Sequence, residues 1–250
     1  MMVSNFVFFG TPHIAVPEGA SAGIQVLLRW VHFIAGITWV GLLYFFNLVN
    51  IPFMKEIDAT TRAKVVPTLL PRALWWFRWA SVVTVFAGIW YWMMIVTSDA
   101  HNAQTSGGMA IGSFFALWTA AFAVEMGAVM SGFESLRKGA IFGSIVGVAV
   151  AGAAYLYLSI NSHGWESNRM LCIGVGGGIG WFMLLNVWGL LWRAQKKIIR
   201  WTAESAANQT QLPAEAASLA RISFLVSRTN FVLSFPMLFF MAAASHYPIL

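Results

Sequence analysis

The sequence predicts an all-α integral membrane bundle of about six transmembrane helices, with the N-terminus and C-terminus both on the outer side. Composition, six long apolar windows and the placement of basic residues predict it together. Of the 250 residues, 59% are hydrophobic and only 10% charged, with a mean hydropathy of +0.71. A soluble domain carries about 25% charged and about 45–50% apolar residues. A chain this apolar cannot cover its own surface with polar groups, so lipid must solvate much of it. The 22 Gly and 13 Trp fit the same setting. Glycine lets membrane helices approach closely, and tryptophan anchors at the headgroup level.

Taken in order, residues 1–23 (MMVSNFVFFGTPHIAVPEGASAG) hold no basic residue and only a short apolar run. A cleavable signal needs a positive start and a longer apolar stretch, so this piece reads as an outer N-terminal segment. A six-helix transmembrane domain follows over 24–250. A membrane helix needs ~20 apolar residues. The qualifying windows run from Ile24 to Phe53, Leu74 to Ser98, Met109 to Phe133, Ala140 to Ile160, Met170 to Trp192, and Ile222 to His246.

The connections alternate in charge. Lys55, Arg62, Lys64, Arg72 and Arg78 belong to the first loop and the start of helix two, and Arg137 and Lys138 to the third. Arg193, Lys196, Lys197, Arg200, Arg221 and Arg228 flank the fifth. The second and fourth loops hold only Arg169, and Arg29 lies within the first helix. Short cytoplasmic loops collect Lys and Arg, so loops one, three and five are cytoplasmic. The net charge of +6 therefore points to a membrane surface and not to nucleic acid. The basic cytoplasmic loop at 193–221 opens with WRAQKKIIRWTAES, an amphipathic continuation of helix five suited to anionic headgroups. TQLPAEAASLARISFLV then reads as a capped helix start.

Several motifs are absent. There is no HExxH, GxSxG, P-loop or CxxCH, which removes support for hydrolase, nucleotide-driven and covalent-haem chemistry. GVGGGIG (174–180) imitates a dinucleotide fingerprint. It has neither the strand before it nor the acidic residue after it, so close helix packing is the expected role. The one cysteine, Cys172, supports neither a disulfide framework nor a thiolate site.

Polar groups inside lipid are costly and mark candidate sites. His32 sits about eight residues into the first helix, ~12 Å below its outer end at ~1.5 Å per residue. Arg29, Gly36 and Trp39 stand at −3, +4 and +7 from it and share its face. An imidazole that can ligate metal, a small residue leaving room for a flat ligand, an indole and a cation suited to carboxylates are the parts a haem b requires. The same face also suits a His bonded to a neighbouring helix carbonyl with Arg29 reaching outward. His246, ending the sixth helix, can form a two-helix metal-ligand pair with His32, or sit at the interface beside Tyr247. His101, His163 and His13 read as solvated. Glu125, in AAFAVEMGAVM, is the one carboxylate well inside a helix. It suits proton relay, a polar substrate group, or a hydrogen bond between helices. Asn47, Asn50, Asn186 and Asn230 are expected to face the interior, and PRALWWFRWAS around Arg78 reads as an interfacial belt.

LLRWVHFIAGITWVGLLYFF, LWWFRWASVVTVFAGI, GIGWFMLLNVW with its basic continuation, and TNFVLSFPMLFFMAAASHYPIL carry a resemblance. In this order they resemble the urate oxidase (urate hydroxylase) N-terminal membrane domain, a bacterial family often followed by a cytochrome c domain. The H-x3-G-x2-W-x-G pattern at 32–41 is shared with other small haem-linked membrane proteins. The resemblance implies a haem b-linked oxidoreductase of the bacterial inner membrane, with a periplasmic c-type cytochrome as partner. It carries site roles onto His32, Trp39, Trp76, Asn186, Asn230 and His246. It also marks departures. Gly174 and Thr229 stand where the family has histidines, and the sequence, read to Leu250, shows no cytochrome c domain. These departures leave open a non-catalytic transmembrane subunit of a larger respiratory or photosynthetic complex.

Overall fold

The computed structural model describes residues 19–246, with side chains through Ala244. Most of the expected outer N-terminal segment (residues 1–18) and the His246 side chain lie outside the described residues. The described residues form helices and connecting turns with no strand, and six helices are long and apolar enough to cross a membrane. We number them α1 (Ala20–Glu56), α2 (Ala59–Asn102), α3 (Gly108–Met130), α4 (Gly139–Ile160), α5 (Asn168–Asn208) and α6 (Glu215–His246).

Local chemistry explains the breaks. Ile57, in extended backbone, ends α1, and Asp58 caps α2, its carboxylate accepting from the Thr60 and Thr61 amides at 2.9 and 3.0 Å. Between α2 and α3, Gln104 turns the chain at φ 52°. Gly132, at φ 75°, stops α3 in the left-handed conformation that glycine adopts without strain. Ser167 caps α5 through the Met170 amide at 3.1 Å, and its own hydroxyl is held by Asp99 of α2 at 2.6 Å.

The bundle is organised around α5, which packs on α2, α3, α4 and α6. Its most apolar stretch is 72% buried within the protein, against 17% for α1. The glycine run explains this burial. A Cβ on Gly174 would stand 2.2 Å from the Tyr157 hydroxyl, and one on Gly178 1.8 Å from Trp118 Nε1. A Cβ on Gly176 would fall 3.1 Å from the Met237 carbonyl. GVGGGIG thus receives α4, α3 and α6 on three sides, the packing role expected of it. By contrast α1 lies at the edge, mostly along α2, with Trp30, Phe33 and Ile37 turned outward.

Three sequence expectations change. Helix two begins at Ala59 and not near Leu74, because the Asp58 cap starts it early and it continues through Pro67 and Pro71. The helix packs on the continuation of α5 beyond Trp192. The helical continuation expected after Trp192 and the helix start expected near Pro213 are both present, and what changes is only the extent: α5 runs to Asn208, α6 starts at Glu215, and 209–214 connect them. Finally, α1 and α5 each contain a π-helical stretch, Phe45–Asn50 and Val187–Leu191, that no periodicity announced.

Candidate functional site

Where α3, α5 and α6 meet, three buried polar side chains come together. Asn186 Nδ2 donates to Asn230 Oδ1 at 2.9 Å, and Asn230 Nδ2 donates to the Met183 carbonyl at 3.1 Å. A carbonyl can only accept, so the second bond fixes which way both amides point. Among the described residues, Asn186 Oδ1 has no donor. Glu125 from α3 is fully buried beside the Asn186 side chain, and neither of its oxygens has a partner among the described residues. The Asn186 amide faces the Glu125 carboxyl, yet among the described residues no hydrogen bond of normal geometry reaches either carboxyl oxygen or Asn186 Oδ1. That arrangement suits a proton on Glu125 or a bound group rich in hydrogen-bond donors.

The polar belt continues across α6. Ser227, one turn before Asn230, meets Asn47 of α1, whose Nδ2 donates to Ser227 Oγ at 3.1 Å and to the Leu43 carbonyl at 3.0 Å. A turn further along, the Tyr44 hydroxyl and Ser234 Oγ are hydrogen-bonded at 3.2 Å. Each π stretch adjoins this belt: Asn47 lies inside one, and Asn186 immediately precedes the other. Single π turns are rare and recur where a side chain must be re-aimed at a functional position.

His32 forms a second locus, on the seam between α1 and α2. Its Nδ1 lies 2.7 Å from the Thr84 carbonyl oxygen. Because that oxygen only accepts, a neutral ring carries its proton on Nδ1 and its free lone pair on Nε2. The ring lies against Gly88, where a Cβ would come within 2.8 Å of it. Gly36 faces Thr84, whose Cγ2 is 3.6 Å from where a Cβ would stand. Arg29 lies over the Tyr91 ring at 6.0 Å and has no ion pair among the described residues. Trp39 is buried in the core, and its Nε1 has no partner among the described residues.

The remaining expected positions scatter. Trp76 is 60% exposed on the outside of α2, edge-on to Trp75 and remote from His32. His246 closes α6, but its side chain is outside the described residues. Beside Gly174 the space is filled by the Tyr157 hydroxyl, and Thr229 is half-buried on α6. His163 pairs with Glu166 at 2.8 Å in the α4–α5 turn. Sequence reasoning missed Thr84, Gly88, Ser227 and Tyr157. The small pair Ala87–Gly88 in an apolar helix was the only signal, and it marks a close approach without saying of what.

A family model for the urate oxidase N-terminal domain matches residues 56–250. The chain belongs to the urate oxidase N-terminal family. The match covers α2 to α6, with Glu125, Asn186 and Asn230, and begins at the last residue of α1. His32 and its neighbours on α1 therefore stand outside the matched segment. No curated protein and no solved structure matches the chain.

Proposed function

We propose that this member of the family is a multi-pass redox protein of the bacterial inner membrane, holding a haem b at His32 and passing electrons to a c-type cytochrome. The observation that carries the reading is the Nδ1 contact to the Thr84 carbonyl. Such a bond fixes the tautomer and ring orientation of a metal-ligating histidine and leaves Nε2 as the ligand atom. A haem b held there would supply one-electron transfer. Arg29, one turn nearer the start of α1, offers a cation to carboxylates. The register of α1 against α6, set by Asn47–Ser227 and Tyr44–Ser234, runs the last turn of α6 toward the level of His32. This supports His246 as the second ligand. Glu125, with Asn186 and Asn230, would hold a proton or a polar substrate group away from the iron.

The distribution of Lys and Arg supports cytoplasmic loops at 57–58, 131–138 and 209–214, with both termini and the cytochrome on the periplasmic side. A specific observation favours a second reading, a non-catalytic subunit of a larger membrane complex. The space beside Gly174 is taken by Tyr157, so a histidine could not be accommodated there without moving that ring.

The test is a reduced-minus-oxidised spectrum of the purified protein. A b-type band is expected, and His32→Ala should abolish it while helical content stays the same. A band that survives removes His32 as ligand. No band at all, with stoichiometric co-purification in a larger assembly, would select the subunit reading.

A further inference from the structure

At the basic end of the bundle, α2 and α5 close around one cation that the redox reading does not use. Arg78 lies one turn inside the apolar run that starts at Leu74. Its guanidinium carbon stands 3.5 Å from the centre of the Trp192 ring and 5.3 Å from that of Trp188, and Nε donates to the Leu74 carbonyl at 3.2 Å. Trp79 in turn packs edge-on against Trp188, with ring centres 5.4 Å apart. The stacking holds the planar fork in one orientation. No carboxylate pairs with it among the described residues. The only acidic residues on the two helices are Asp99 and Glu204, near their far ends.

A charge one turn inside an apolar helix needs a partner, and the surroundings indicate where that partner lies. Trp75 and Trp76, at the next turn of α2, are 49% and 60% exposed. Tryptophans turned toward lipid mark the headgroup level, where phosphate is the abundant anion. Guanidinium matches phosphate oxygens through two parallel bonds. Beyond Trp192 the same helix continues with Arg193, Lys196 and Lys197. That excess of positive charge favours a headgroup with net negative charge over a zwitterionic one.

We propose that Arg78, clamped by Trp188 and Trp192, binds the phosphate of an anionic phospholipid between α2 and α5. This assignment stands independently of any haem at His32. Native mass spectrometry of the detergent-purified full chain tests it, with phosphatidylglycerol, phosphatidylcholine and sodium phosphate offered in turn. Wild type should retain phosphatidylglycerol about tenfold better than phosphatidylcholine, and R78Q should lose about that preference, the size expected for one charge-assisted pair. W192L keeps the cation and removes the clamp, so it should also weaken retention, and it replaces R78Q if that variant does not fold. Retention of phosphatidylglycerol by R78Q or a folded W192L at the wild-type level would overturn the site. So would equal retention of phosphatidylcholine by wild type. Displacement of the lipid by sodium phosphate at similar concentration would reassign the site to free phosphate.

Discussion

At the scale of single residues, the polarity of the Asn186–Asn230 pair matters most. Asn230 satisfies two buried groups at once, the Asn186 amide and the Met183 carbonyl. Asn230→Ala removes the acceptor of the Asn186 amide and one of two donors to the Met183 carbonyl, which also accepts from the Val187 amide. It should cost about 1–2 kcal/mol, since a buried group without its partner loses more than a net hydrogen bond is worth. The double variant with Asn186→Ala should cost less than the two singles added, because one interaction is removed in both. Unfolding in mixed micelles at rising denaturant concentration reads both, and strict additivity would show that the pair is not coupled. The chemical types here were legible from the sequence, since an Asn or a Glu inside an apolar helix stands out. Their partners were not. Asn186 and Asn230 are 44 positions apart, and only the packing of α5 on α6 brings them to 2.9 Å.

Elements respond at their ends and at their closest approaches. Gly178→Ala would place a methyl 1.8 Å from Trp118 Nε1, whereas a methyl at Gly152 meets nothing within 4 Å. The first should destabilise by about 1–3 kcal/mol through overpacking, and the second should be neutral or slightly stabilising within the helix. Comparable midpoints for the two would remove the α3–α5 approach as a determinant of the fold. At the start of α2, hydrogen bonds from the Thr61 hydroxyl and from the Thr61 and Thr60 amides hold the Asp58 carboxyl below the usual carboxylate range. A depressed folded value means the cap contributes fully above the ordinary carboxylate pKa. Its contribution falls away as pH drops through the lower, folded value. Protection of the first-turn amides of α2 against hydrogen exchange, corrected for intrinsic rates, should therefore decline only in acid, and Asp58→Asn should flatten that dependence. A decline of the same size in the variant would put its origin elsewhere.

For the whole molecule the governing quantity is orientation in the bilayer. Ser135 lies in the α3–α4 turn and Ser162 in the α4–α5 turn, both exposed. Cys172 is buried and should stay silent. With Ser162→Cys, a membrane-impermeant thiol reagent applied to intact cells should label the protein. With Ser135→Cys, it should label only after the membrane is opened. The reverse pattern would invert the bundle and put the His32 end of α1 on the cytoplasmic face. The orientation expected from the sequence rests on counts of charge per loop. Those counts survive an error of several residues in every helix boundary, including the early start of α2.

Composition and pattern by themselves determined that this chain has six helices long and apolar enough to cross a membrane; its family followed from the likeness of particular segments and from the family-model match. Pattern also determined that GVGGGIG is a packing surface and that the residues after Trp192 continue as a basic helix. These properties follow from local rules, because a run of apolar residues or a stripe of glycines needs no knowledge of what lies opposite. Tertiary structure alone decided that α5 is the buried hub and α1 the peripheral helix. It decided that His32 is tied to the Thr84 carbonyl, and that Trp192 stacks on Arg78. Each of these is a contact between helices distant in sequence. In a membrane nearly every helix is apolar all round, so hydrophobic periodicity does not say which face turns inward. Close steric approach and the pairing of a few costly polar groups make that choice, and both exist only once the helices are assembled.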